Sequence, residues 1–196
     1  MKFLVLALLA LSLNTFAADG PVAKVIKIKG KVTFDGKLLK LGDLITKKGV
    51  LKSEKRSFAQ VSVEKWNNKI TIGPKSEMEF DFDKDAKKKY VFLDGRCRWR
   101  TDSGKKGKGR LYTKLASMGV RGTDYIVVSK KSLGETEIIV LDGAVEFENL
   151  MNPTEKVLVN KGQWGGIGGR FGENIGKVID LPKDVVESFD RQLKFH

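Results

Sequence analysis

Side chains capable of covalent or metal chemistry are scarce in this chain of 196 residues. Its one histidine, His196, is the last residue, which leaves no imidazole for a catalytic triad or a histidine-bearing metal cluster. Its one cysteine, Cys97, has no histidine to activate it, and the alternation around it predicts a core thiol rather than a nucleophile. Glu77, Glu79, Asp81 and Asp83 alternate with Met78, Phe80 and Phe82. That spacing puts the acids together on the solvent face of a strand, without the pocket a glycosidase pair requires. Asp81, Asp83 and Asp85 match a calcium loop in spacing but lack its glycine and its closing glutamate. The run from Gly165 to Gly172 lacks the Gly-Lys-Ser/Thr of a phosphate loop and reads as a flexible exit from the last strands. No enzymatic activity, metal or cofactor is expected, and the pattern points to binding.

The cationic residues offer more. Arg96, Arg98 and Arg100 alternate with Cys97 and Trp99, so three guanidiniums share one face of a strand. They would repel one another unless a bound anion, or the acids of Glu77 to Asp83 on a neighbouring strand, lay among them. Lys105, Lys106, Lys108 and Arg110 sit among glycines in a basic loop, and Lys87 to Lys89 form a second basic run. With the arginine row they make one possible ligand or partner surface. The formal charge of +13 favours anionic neighbours, although a solvated basic surface accounts for it equally.

Positioning those residues falls to short apolar runs separated by turn residues, with little helical periodicity. Val32 and Phe34 alternate before Asp35-Gly36, a hairpin signal, and Ala59, Val61 and Val63 alternate with Gln60 and Ser62. Asp142-Gly143 predicts another hairpin, between Glu135 to Leu141 and Ala144 to Phe147. Ile28-Lys29-Gly30-Lys31-Val32, Leu93-Asp94-Gly95-Arg96-Cys97 and Leu141-Asp142-Gly143-Ala144-Val145 share one pattern, so equivalent units place Cys97 where valine stands elsewhere. Near the end, Pro182 opens a short helix whose Val186, Phe189 and Leu193 face one side and should dock on the sheet.

Residues 1–17 read as a cleavable export signal, with Lys2, an apolar run from Phe3 to Leu13, and small Thr15 and Ala17 before the cut. Cleavage would remove only Lys2 among the charges, leaving +12, and there is no lipid-attachment cysteine near the cut. The expected product is periplasmic or secreted, with a single cysteine that cannot form an internal disulfide, so packing alone must hold it.

One stretch organises the chain, Leu115 to Val128, and at its centre stands Gly119-Val120-Arg121-Gly122-Thr123-Asp124-Tyr125. Two glycines beside the apolar run Tyr125 to Val128 predict a tight bend entering a buried strand. Arg121, held there, either clamps backbone carbonyls or a carboxylate such as Asp124, or points outward to bind an anion. This stretch resembles the signature of the FecR domain family, periplasmic domains first associated with iron-dicitrate sensing. Ile28-Lys29-Gly30-Lys31-Val32, Leu41-Gly42-Asp43, Ile72-Gly73-Pro74-Lys75-Ser76, Leu141-Asp142-Gly143-Ala144-Val145 and Gly162-Gln163 follow in that family's order.

The expected architecture is all-β, a two-layer antiparallel β-sandwich or a short flattened β-solenoid, with a small C-terminal helix. The expected division is a signal peptide over 1–17, a β domain over 18–172 and an extension with the helix over 173–196. Resemblance to FecR domains implies a periplasmic sensing or interaction module. Members that regulate sigma factors carry a cytoplasmic segment and a membrane helix ahead of the domain. Here the expected signal leads straight into the β-rich region, which predicts a free periplasmic protein that meets an envelope protein partner. The alternative partner is an anionic glycan or lipid, such as lipopolysaccharide or peptidoglycan, bound through the basic strand face; nucleic acid is not expected.

Overall fold

The computed structural model describes residues 21–101 and 109–193; within it, the side chains of Val120 and Arg121 lie outside the description. The export signal and Lys105, Lys106 and Lys108 also fall outside the described residues.

In chain order the strands are β1 (Ala23–Lys29), β2 (Val32–Phe34), β3 (Lys37–Leu38), β4 (Leu44–Ile45), β5 (Gly49–Ser53), β6 (Phe58–Val63), β7 (Asn68–Ile72) and β8 (Glu77–Phe80). They continue with β9 (Tyr90–Thr101), β10 (Arg110–Tyr112), β11 (Ala116–Lys130), β12 (Glu135–Asn149), β13 (Lys156–Asn160), β14 (Gln163–Gly168) and β15 (Ile179–Asp180). The helix α1 (Lys183–Gln192) ends the described chain. Strand makes up 55% of the described residues, so the all-β expectation holds in its coarse form. The strands form one hydrogen-bonded sheet containing a small closed barrel with extra strands, in place of two clean layers or a stack of equal coils.

Closure depends on strands that change neighbours along their length. The first residues of β9 pair with β8 and, in parallel, with β10, while its later residues pair with β7 and β11. β10 also pairs with β11, so β9, β10 and β11 close a ring. The inward rows hold the core, as alternation predicts: Val61, Ile70, Trp99, Tyr125 and Val140 form one row across five strands, all buried. Met78, Phe80 and Phe82 are buried, and Cys97 lies in the core as Val32 and Val145 do.

Three sequence expectations about turns are corrected. Gly119 to Gly122 makes no tight bend, and Asp142-Gly143 closes no hairpin; both lie inside the long strands β11 and β12. The register slips there, with Arg121 opposite Ala144 and Asp124 opposite Asp142. Gly122 and Gly143 have φ of +59° and +76°, and a Cβ on Gly143 would come within 2.7 Å of the Gly122 carbonyl oxygen. This is a bulge shared by two strands, and it turns a corner. Before it, β11 pairs with β10 and beyond it with β9; β12 pairs first with β14 and then with β13. The third correction concerns Gly165 to Gly168, which are buried residues of β14 rather than a flexible exit. A Cβ on Gly165 would meet Val159 Cγ2 at 3.1 Å, so the glycine serves close strand packing.

The internal repetition is physical in two copies. Lys31 N–H donates to Ser57 Oγ at 2.9 Å, and Ser57 Oγ donates to the Lys55 carbonyl at 3.2 Å. In the same way, Arg96 N–H donates to Ser76 Oγ at 3.0 Å, and Ser76 Oγ donates to the Pro74 carbonyl at 3.1 Å. Each serine follows a residue of positive φ, Arg56 or Lys75, and sits against the repeat glycine, Gly30 or Gly95. Thr123, after positive-φ Gly122 and against Gly143, occupies the corresponding place in the third copy.

Candidate functional site

The arginine row lies on the outward face of β9, as its alternation with Cys97 and Trp99 requires, and both of those are fully buried. The row is not an open ladder. Arg98 is 8% exposed and sits between two carboxylates. Its Nε donates to Asp124 Oδ1 at 2.7 Å and its Nη2 to Asp124 Oδ2 at 2.7 Å, a bidentate fork. Nη2 also donates to Asp190 Oδ1 at 2.8 Å, and Nη1 donates to the Asp190 carbonyl at 3.0 Å. Burial works against the guanidinium charge, but the two carboxylates outweigh it and raise its pKa above the ordinary value. The Asp124 of the signature stretch therefore clamps Arg98, from a strand placed beside β9 by the corner.

Asp190 arrives on α1, which lies across the outer face. Phe189 of the helix and Leu193 at its C-cap pack with Ile126, Val128, Phe58 and Leu141 in an apolar cluster separate from the main core. Docking of this helix, foreseen from its apolar face, covers Arg98. Arg96 Nη1 donates to Gln192 Oε1 just beyond, whereas Arg100 is exposed. Neither Asp190 nor Gln192 was singled out in the sequence. The available signal was that Asp190 lies four residues after Val186, on the apolar face of the helix.

The acids expected to neutralise the row serve other partners. Lys52 meets Glu77 at 3.0 Å, and Lys48 meets Asp81 at 3.3 Å and Glu79 at 3.6 Å. The reason is register, because β8 pairs with β5 on that side, and the lysines come from β5 itself and from the residue just before it. Arg110 is removed from the row as well. Its Nη2 donates to Glu148 Oε2 at 2.8 Å, Glu146 Oε1 at 3.2 Å and Ser117 Oγ at 3.0 Å. The guanidinium crosses over Gly119, whose missing side chain makes room: a Cβ there would lie 3.3 Å from Arg110 Cζ. The structure thus brings Arg98 and Asp124 together, sets Arg96 against Gln192 and Arg110 on a different cluster, and buries Thr123 at the corner.

Chemical reactivity is damped where it was weakest in the sequence. Burial pushes the Cys97 thiol well above its ordinary pKa, and burial does the same to the Tyr125 phenol. Among the described residues no group of three or more histidine, cysteine or acidic side chains is placed to hold a metal ion. No described helix is long and apolar enough to cross a membrane.

At the other end of the sheet path, β4 forms a terminal strand of two residues. Leu38, Leu41 and Leu44, within and ahead of it, are 57%, 66% and 60% exposed.

A family model described as FecR protein matches residues 49–146, which contain the corner, the arginine row and Asp124. No curated protein matches the sequence. Two crystal structures, each described as "a putative anti-sigma factor" from Parabacteroides distasonis ATCC 8503, are similar in fold. One has 13% identity and a TM-score of 0.57, the other 12% and 0.56. Each alignment covers 72% of this chain and 64% of that one, so the chain spans less than two thirds of those proteins.

Proposed function

The chain belongs to the FecR protein family, and from that premise we propose that it is a non-catalytic sensing or interaction module of the bacterial cell envelope. It works in the periplasm, its export directed by residues 1–17, and it recognises a protein partner. The observation that carries this reading is the leucine-bearing end of the sheet, where Leu38, Leu41 and Leu44 stand exposed around an edge strand of two residues. Exposed apolar side chains beside unpaired strand edges are what a partner chain covers when it adds to a sheet. The fold likeness to the anti-sigma factor structures supports a regulatory setting for such contacts. A photo-crosslinking residue at position 44, irradiated in the native envelope, should give a discrete protein adduct that Leu41→Asp abolishes. An adduct-free pattern at positions 38, 41 and 44 would overturn the reading.

A second reading is supported by another surface. Lys24, Lys69 and Arg100 stand in one cross-strand row, joined through Ser62, on the outward face. Such a row can meet an anionic envelope glycan or lipid. Salt-dependent retention on lipopolysaccharide that is lost in Lys24→Gln/Arg100→Gln would favour it.

A further inference from the structure

Helix α1 is bound to the sheet in a way that names its replacement. It contributes one carboxylate, Asp190, to a guanidinium that already has the complete fork of Asp124, and two apolar side chains, Phe189 and Leu193, to a patch outside the main core. Its first turn has no side-chain cap. Beyond its last turn the same patch runs on into an open groove of about 510 Å³, floored by Phe58, Val128 and Leu193. Lys75, Arg96 and Lys130 line that groove, and its one acid, Asp94, accepts the Lys131 N–H at 2.9 Å. The strip is therefore apolar along its length, with Arg98 at its centre and cations around its open end.

We infer that the strip beneath α1 and the groove beyond it are one docking surface for an acidic amphipathic helix of a partner protein, and that α1 is its intramolecular occupant. This rests on the reading of the chain as a protein-binding module, and it adds the chemistry of the partner. The incoming helix offers a carboxylate to Arg98 Nη1 and Nη2 and apolar residues at the spacing of Phe189 and Leu193. Further acids meet the cationic groove, which is open while α1 is docked and serves as the entry point. Release of α1 leaves Arg98 its Asp124 fork, so the sheet stays folded without the helix. Because α1 competes in cis, an outside helix binds with an apparent affinity reduced by the fraction of molecules in which α1 is off.

The test uses the full chain and a fluorescent peptide of residues 182–193 as the probe. Phe189→Asp in the chain should release α1 while near-ultraviolet dichroism from buried Trp99 is retained. Peptide affinity for that variant should rise at least about tenfold over wild type, and a peptide with Asp190→Asn should bind the variant several-fold more weakly than the unaltered peptide does. In wild type, amide exchange of α1 should be faster than that of Tyr125 to Val128, the mark of a local opening. Equal peptide affinity for wild type and variant, or exchange of α1 only at the rate of those strand amides, would overturn the inference. Crosslinking at position 44 probes the β4 end of the sheet path, and Leu44 lies outside the lining of the groove, so either proposal can fail while the other stands.

Discussion

At the level of single residues, Arg98 is the most consequential side chain of the outer face. It is buried, and it balances Asp124, which has the fork geometry only a guanidinium matches. Arg98→Ala should cost about 3–5 kcal/mol in chemical denaturation, because Asp124 is left without its counterion. Asp190→Asn should cost about 1 kcal/mol or less, since that carboxylate is partly exposed and Asp124 remains. A smaller penalty for Arg98→Ala than for Asp190→Asn would show the clamp to be peripheral. Cys97 and Tyr125 make a pH prediction. Both keep their protons in the folded state where the unfolded chain releases them, because burial raises both pKa values. Their contribution to stability is therefore complete below the ordinary thiol and phenol ranges, about 8.5 and 10, and falls as pH rises past them. Denaturation midpoints should decline from about pH 8.5 upward, and Cys97 should resist thiol reagents until the chain unfolds.

At the level of elements, the corner where β11 and β12 bulge together is the most sensitive point. Gly143→Ala puts a methyl 2.7 Å from the Gly122 carbonyl oxygen at a φ of +76°, and should destabilise by about 1–3 kcal/mol. The serine units behave alike: Ser57→Ala and Ser76→Ala should each cost about 1–3 kcal/mol by leaving the Lys31 or Arg96 N–H without its acceptor. Similar losses would mark the two units as equivalents, and a neutral Ser76→Ala would break the equivalence. How far the elements could be read from sequence follows from the range of the signals. Alternation is local, so the inward positions of β8 and β9, the Asp35-Gly36 hairpin and the apolar face of α1 were all legible. Asp-Gly and Gly-x-x-Gly are equally local, but a bulge and a turn use the same positive-φ glycines. Only the pairing of Arg121 with Ala144 and Asp124 with Asp142 distinguishes them. The partners of Arg98 were illegible for a related reason, since Asp190 lies 92 residues away and nothing local joins the two.

For the whole molecule, the main core runs unbroken from β1 through β14, while the α1 patch stands apart from it. The sheet should unfold in a single transition in which near-ultraviolet signal from Trp99 and far-ultraviolet strand signal coincide. Separate midpoints would show that the barrel and its extra strands are independent units. The two proposed recognition surfaces lie on different parts of this body, the leucine edge around β4 and the strip beneath α1, and the family match at residues 49–146 includes most of the strip but not the edge.

The shared bulge has a mechanical consequence. Two strands of 15 residues each run side by side through it, a ribbon of about 50 Å if drawn straight. Loaded from its ends, such a ribbon resists as a shear joint whose paired amides are stressed in concert. A tug at one extremity is thus conveyed around the bend to the other by stiffness alone, with no loop required to rearrange.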